Sequence, residues 1–384
     1  MQVQGLRAAV IGAGFSGLMF ATALAQAGVN VDLFEEHRRV GFPEHCTGLI
    51  SRATEEMIGG PALKSELGVI ESFVISGPRL SLRLRASQPI VKLNRVRLEE
   101  LMLEGAEAEG VKFIDGVKTR PLPDGTVLPL GKSYDVVILA EGFNGTARRQ
   151  LGIGFNGEVT YGVNAEAEDG GSPDFEAKFD ETTSDGFFSW RVTLRSVSVV
   201  GTASRRPSVL AAKLREAMKA HNVEGDIVKT YGGPIITGPP SDKVRLGRVV
   251  VVGDAASMNK PLTGGGLYPS AAASRMAQRM IAKGISVADA LEASVKSVNR
   301  GLRRSYHMSK LLHSRPEAVD LLVYAATSSG LAEEVSGKVD YDIHFSLFRE
   351  SARSWRAYYG ALRALVRSPA NSLRLLASLI TDII

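Results

Sequence analysis

Cysteine is almost missing from this chain of 384 residues: Cys46 stands alone. That excludes an intramolecular disulfide and an all-cysteine metal site, and it fits a reducing cytoplasm. Long uncharged apolar runs are missing as well. None approaches the ~20 residues that a membrane-crossing helix needs, so any membrane contact is expected to be peripheral. Met1 runs almost directly into an apolar strand pattern, with no secretory leader ahead of it. Internal repeats and low-complexity linkers are absent, and no nucleic-acid-binding module is visible. What is present, 44% hydrophobic and 23% charged residues, is the composition of an ordinary globular protein of one large or two intimate domains.

The most informative stretch is the first forty residues. Ala8 to Ile11 reads as a buried parallel strand ending in Gly12-Ala13-Gly14-Phe15-Ser16-Gly17. A helix is predicted from Phe15 to Ala27, with Gly28 as its C-cap. A second strand follows from Val29 to Phe34 and closes in Glu35. Gly12 permits the tight turn, Gly14 lets backbone approach a pyrophosphate, and Gly17 lets the helix pack on the strand. The helix start offers free N–H groups and a positive dipole end to phosphates. Glu35, at the tip of the second strand, is placed to accept from a ribose. Strand, glycines, helix, strand and acid in that order predict a dinucleotide site. Gly152-x-Gly154-x-x-Gly157 matches the same pattern but has no clear strand before it and no clear helix after it, and is rejected as a second one.

Further buried strands are predicted at 111–118, 134–140 and 248–254, to be joined with those at 7–11 and 29–35. Arg97 is expected to open a helix running from Leu98 to Glu109. Alternating patterns at 60–95 and 155–240, interrupted by a helix over Ser208 to His221, predict an inserted second sheet. Pro261-Leu-Thr-Gly264-Gly265-Gly266-Leu267 leads into a small-residue helix ending at Ala282, and from about 286 the chain reads as helical. The fold class is therefore α/β: a Rossmann-like domain from 1–58, 96–153 and 241–285, an antiparallel sheet domain from 59–95 and 154–240, and a helical region over 286–384.

The net charge of +5 is uneven. Residues 300–316 carry Arg300, Arg303, Arg304, Lys310, Arg315, His307 and His313 without an acid. The run reads either as a solvated face or as a docking surface for an acidic partner, an anionic membrane or a phosphorylated substrate. Residues 345–367 are amphipathic: Phe348, Trp355, Tyr359, Leu362 and Val366 share a face, with Arg349, Arg353, Arg356, Arg363 and Arg367 in a stripe beside it. The plain expectation is a helix capping the core; the alternative is an interfacial helix facing lipid.

Three separated signals, the opening βαβ unit, the Arg97 helix, and Val249-Val-Val-Val-Gly-Asp254 with Pro261-Leu-Thr-Gly-Gly-Gly-Leu267, together resemble the FAD-dependent oxidoreductases built like p-hydroxybenzoate hydroxylase. Within them, Gly41-Phe-Pro-Glu-His45-Cys46-Thr47-Gly48 resembles the cysteine loop of the geranylgeranyl reductases, which saturate isoprenoid double bonds. The resemblance implies FAD held by Gly12, Ala13, Gly14, Ser16, Gly17 and Glu35. It also implies Arg97 at the phosphate–ribose region, Val117 near the adenine and Asp254 at the ribityl or pyrophosphate part. Gly264, Gly265, Gly266 and Leu267 would face the flavin pyrimidine edge, with Cys46, Thr47 and Gly48 at the isoalloxazine. The family's aromatic substrate motif is reduced here to Phe188-Ser-Trp190-Arg-Val-Thr.

An isolated alkene is a poor hydride acceptor, so the site needs an acid in a dry pocket. Cys46, His45, Tyr268 or a trapped water are the candidates. Cys46 reads equally as proton donor, reactive thiol or packing residue, and His45 reads also as a structural loop residue. Phe188 and Trp190 read as core or as lining of an apolar channel. The expected partners are an isoprenoid lipid and an electron donor, NAD(P)H or a protein such as ferredoxin. The competing readings are a flavin monooxygenase on the same fold and a flavin- or lipid-carrying protein without turnover.

Overall fold

The computed structural model describes the chain apart from residues 1–4, 156, 170, 344–350, 352–353 and 384. Strand Arg7–Ile11 has four consecutive buried residues because helices cover both faces of its sheet. It lies inside a six-stranded sheet ordered Arg245–Leu246, Val249–Val251, Val136–Leu139, Arg7–Ile11, Asn30–Phe34, Lys112–Ile114. All its pairings are parallel except the one made by Arg245–Leu246. Neighbours on the two sides of Arg7–Ile11 come from distant parts of the chain, so the order reverses there. The Gly12 turn sits at that reversal, where open α/β sheets leave a crevice.

Several boundaries differ from the sequence reading, each for a local reason. The strand expected over 111–118 stops at Ile114, since Gly116 takes a left-handed φ of 66°. The strand expected over 248–254 stops at Val251, and Gly253 (φ 62°) opens a 3₁₀ turn, Gly253–Ala256, that carries Asp254. The helix expected to be opened by Arg97 starts at Arg95. Asn94 caps it by accepting the Arg97 N–H at 3.0 Å, a cap worth about 1 kcal/mol. The helix expected over Ser208 to His221 divides into a 3₁₀ turn, Pro207–Val209, and an α-helix, Leu210–Ala220.

The second sheet has eight strands, ordered Ile227–Gly238, Glu158–Glu168, Val197–Ser204, Ser189–Leu194, Asp174–Lys178, Glu66–Ser76, Ser81–Leu93, Leu49–Ser51. Asp174–Lys178 runs parallel to Glu66–Ser76 and joins the two segments; the other pairs are antiparallel. Leu49–Ser51 enters this sheet from ahead of residue 59. Trp190 lies flat across Gly201, where an added Cβ would fall 2.1 Å from the indole.

The C-terminal region is helical, as the sequence suggests, yet residues 337–342 are not. They return to the second sheet, where Ala86 bridges Val339 and the Ser87 N–H donates to the Val339 carbonyl. Asp342 is buried there. It accepts from the Ser51 N–H at 2.7 Å and the Thr54 hydroxyl at 2.6 Å, and it pairs with Lys260 at 2.6 Å.

Helix Trp355–Arg367 does not cap the core with its large residues. Its buried positions are Gly360 and Ala364, and the helix seats so closely that a Cβ on Gly360 would lie 2.6 Å from the Ala325 carbonyl. Phe348, Arg349 and Arg353 lie outside the described residues. In the basic run, Arg303 pairs with Asp242, Lys310 pairs with Glu158, and His313 is buried, so part of that charge serves the fold itself.

Removing one member of a buried ion pair strands the other, at about 3–5 kcal/mol. Lys260→Met should therefore lower stability to urea by that order, and Lys260→Met/Asp342→Asn should recover part of it. Equal loss in single and double variants would show that the pair is not coupled.

Candidate active site

The glycine turn shows which of its residues serve packing and which leave room. A Cβ on Gly12 would lie 2.4 Å from the Ala140 carbonyl, and one on Gly17 would lie 1.8 Å from the Gly12 carbonyl. A Cβ on Gly14 would meet nothing within 4 Å. Gly14 is the N-cap of helix Phe15–Gln26, and no side chain caps that helix start. Gly266 is the N-cap of helix Leu267–Ala282, likewise without a side-chain cap. The two helices meet near their starts, where Ser16 and Ser270 share a hydroxyl hydrogen bond of 2.8 Å. Two sets of free N–H donors and two positive dipole ends thus face one region.

Glu35 braces the turn. Its carboxylate accepts from the Ala13 N–H at 2.7 Å, from the His37 N–H at 3.0 Å and stands 2.6 Å from His37 Nδ1. The Val117 N–H donates to the Glu35 carbonyl at 2.9 Å. On the far side, Asn259 donates to Asp254 at 3.0 Å and to the Gly264 carbonyl at 3.2 Å, fixing the loop Lys260–Gly266. The Asn259 side-chain oxygen is buried without a partner among the described residues. Tyr268 is raised above the ordinary tyrosine range, by burial and then by Asp342 and Asp340.

The cysteine loop lies between the sheets. The Thr47 hydroxyl donates to Asn164 at 3.1 Å, and the Trp190 indole N–H donates to the same oxygen at 3.0 Å. Lys92, buried, donates to the Thr47 carbonyl at 2.5 Å. Burial pushes the Lys92 ammonium down, against the pull of Cys46, Glu166 and Glu44. Arg95, also buried, pairs with Glu99, stands near Cys46, and lies 5.8 Å from the centre of the Phe15 ring. Burial alone would lower Arg95, but Cys46 and Glu99 outweigh it and hold it above its usual value. His45 is exposed, with Nδ1 2.9 Å from the Pro43 carbonyl. Tyr231 is buried, and its hydroxyl makes no hydrogen bond of ordinary geometry. Burial, then Glu166 and Glu44, holds it well above the ordinary tyrosine range.

Phe188 and Trp190 belong to a buried aromatic cluster. Phe187 stacks on Phe188 at 4.3 Å between ring centres, and both face His313. His313 Nε2 lies 2.9 Å from the Leu262 carbonyl, so that nitrogen carries the proton of a neutral ring. Burial pushes His313 down to about 4. The cluster is thereby tied to the Lys260–Gly266 loop.

The structure gathers Cys46, Thr47, Phe188, Trp190 and the two glycine loops around this region. Arg97 lies instead on an exposed helix face, paired with Glu104 and Glu100. Sequence reasoning missed Lys92, Arg95, Asn164, Tyr231, Lys260 and Asp342. Only Arg95 left a signal, an i,i+4 spacing to Glu99 opposite an exposed Arg97. Among the described residues no group of three or more His, Cys, Asp or Glu is placed to hold a metal.

An FAD fits what the residues offer: space above Gly14, uncapped helix starts for diphosphate and pyrimidine edge, and Glu35 for a ribose. The description "NAD(P)-binding Rossmann-like domain" matches residues 10–44. The geranylgeranyl diphosphate reductase of Synechocystis sp. is 26% identical over 311 residues, covering 72% of this chain and 75% of that protein. The digeranylgeranylglycerophospholipid reductase of Methanothrix thermoacetophila is 26% identical over 309 residues, 73% of this chain and 78% of that one. The crystal structure of a geranylgeranyl bacteriochlorophyll reductase-like protein from Thermoplasma acidophilum superposes with a TM-score of 0.71. It is 15% identical and covers 95% of this chain and 99% of the other. Fold and relatives define an FAD-dependent oxidoreductase. Within that class the chain is geranylgeranyl reductase-like, with a parallel Rossmann-like sheet, a large, mostly antiparallel sheet and a helical C-terminal region.

Gly14→Ala should leave the apoprotein as stable as the wild type while flavin affinity falls at least about tenfold, read by fluorescence titration. Gly17→Ala should fail to fold stably. For His313, the folded pKa lies below the unfolded value of 6.5. The stability it contributes is whole above pH ~6.5 and is lost as pH falls toward 4, on the order of 3 kcal/mol. Urea midpoints of wild type and His313→Gln should converge over that window; parallel curves would contradict the assignment.

Proposed function

We propose that this chain reduces isoprenoid double bonds, adding a hydride to one alkene carbon and a proton to the other. What supports it most is the place of Cys46. The thiol sits on a loop fixed from the second sheet by Asn164 and Trp190 and contacted by Arg95, which also touches Phe15 at the glycine turn. Bound in reduced form, FAD supplies the hydride. The uncapped start of helix Leu267–Ala282 would hold the flavin pyrimidine edge and favour the negative charge of the reduced form. Gly14, Ser16 and the first helix turn take the diphosphate, Glu35 the ribose, Val117 the adenine side and Asp254 the ribityl side. Arg95, in from the surface where Arg97 stays, is added to this set at the helix start.

Three side chains could give the proton, and their surroundings rank them. His45 is exposed, so a proton there is shared with solvent. Tyr268 is made a weaker acid by burial and by Asp342 and Asp340. Cys46 is half-buried near the cations Lys92 and Arg95, on a loop whose next residue, Thr47, shares Asn164 with Trp190 of the aromatic cluster. Cys46 is therefore the donor; Tyr231, raised by burial, Glu166 and Glu44, is no better an acid than Tyr268. Phe188 and Trp190 present the apolar wall toward the isoprenoid. The relatives are named for different headgroups, a diphosphate and a glycerophospholipid, and the cations around the loop suit either anion.

The test is anaerobic. The flavoprotein is reduced chemically and mixed with geranylgeranyl diphosphate or a geranylgeranyl glycerophospholipid, and products are weighed by mass spectrometry. Masses raised by whole H2 units, with flavin reoxidised, are expected, and Cys46→Ser should slow this by about a hundredfold or more. No mass gain, with reoxidation only by O2 and a hydroxylated product, would establish a monooxygenase instead.

A further inference from the structure

The two C-terminal helices, Trp355–Arg367 and Pro369–Ile383, present to solvent what a packed helix pair hides. On the first, Gly360 and Ala364 face inward while Trp355, Tyr359, Leu362 and Val366 are 68, 45, 58 and 79% exposed. Their spacing of three and four residues makes them one stripe. On the second, Leu375 is buried while Leu373 and Ile380 are 60 and 56% exposed. A single exposed leucine is ordinary, but apolar stripes on two adjoining helices mark a surface that meets something apolar.

The charge beside the stripes says what that something is. Residues 351–383 contain Arg353, Arg356, Arg363, Arg367 and Arg374 against a single acid, Asp382, at the far end of the second helix. At 100° per residue, Arg356, Arg363 and Arg367 fall on one flank, between the exposed stripe and the buried small residues. Arg356 donates to the Gly330 carbonyl and Arg363 to the Ser328 carbonyl, each at 2.8 Å. Arg367 lies 4.2 Å over the Tyr324 ring. Glu334 approaches Arg356 at 3.9 Å, but Arg363 and Arg367 meet no carboxylate among the described residues. Their positive charge is held in place and left uncompensated.

We propose that this helix pair docks in the plane of an anionic lipid bilayer. Trp355, Tyr359 and the aliphatic stripes enter the headgroup–acyl boundary and the arginines stand at the phosphates. Among the described residues no helix is long and apolar enough to cross a membrane, so the contact is interfacial. A second copy of the chain is a poor occupant, because a twofold contact would bring two arginine flanks together. The inference stands on this surface alone and not on the reductase reading.

The chain reports its own docking. Of its two tryptophans, Trp190 is 7% and Trp355 68% exposed. With vesicles of equal parts phosphatidylglycerol and phosphatidylcholine, the holoenzyme should float with the lipid and its emission should shift to the blue. Pure phosphatidylcholine vesicles should bind at least about tenfold more weakly, and salt should erode the difference. Trp355→Phe should keep flotation and lose the shift. Leu362→Ser/Val366→Ser should abolish binding at unchanged thermal stability, and Arg363→Glu/Arg367→Glu should weaken it about ten- to a hundredfold, with only the small loss of thermal stability that follows from losing the Ser328 and Tyr324 contacts. Absence of flotation on the anionic vesicles would overturn the proposal. So would a dimer in sedimentation velocity that these substitutions dissociate, since a second copy would then be the occupant. Turnover on detergent-dispersed substrate is measured apart, so failure of the reductase reading leaves the vesicle result standing.

Discussion

Backbone donors left without partners at two helix starts are the constraint around which this molecule is arranged. Gly14 and Gly266 bring no side chain to cap their helices, and the Ser16–Ser270 contact holds the two starts together. Open helix ends are costly unless something answers them. Keeping them open and adjacent demands close packing behind: Gly17 under the Gly12 carbonyl, Gly253 where a Cβ would strike Ser16, and Glu35 across the Ala13 N–H. The open surface between the two helix starts is thus made by what surrounds it more than by any residue within it.

The second sheet contributes by holding. Asn164 serves two donors at once, the Thr47 hydroxyl and the Trp190 indole, and Gly201 gives the indole its bed. A loop rich in glycine and proline has little structure of its own. Here it takes its shape from a sheet strand more than a hundred residues away and from two cations, Lys92 and Arg95, on either side of Asn94.

Much of this was legible in the sequence, and the failures share a cause. The βαβ unit announced itself because strand, glycines, helix and acid are local and ordered. The helix after Asn94 was found but started two residues late, because its capping asparagine was overlooked in favour of an arginine. The buried arginine of that first turn is Arg95, while Arg97 beside it is exposed. Lys92, Asn164, Lys260 and Asp342 left no pattern, since each acquires its meaning from a partner distant in the chain. Amphipathicity at 345–367 was plain, but the hydrophobic pattern names a face without naming what it faces. Gly360 and Ala364, the residues that seat that helix, are the least conspicuous on it.

The clamp at Asp342 reaches back 291 residues to Ser51 and 82 to Lys260. On a ribosome the glycine turn and its first helix can form while most of the chain is unmade, because their contacts are local. The loop at Lys260 cannot. Its buried ammonium lacks the Asp342 counter-charge until residue 342 has been made, so the glycine turn matures early and the Lys260 loop some three hundred residues later.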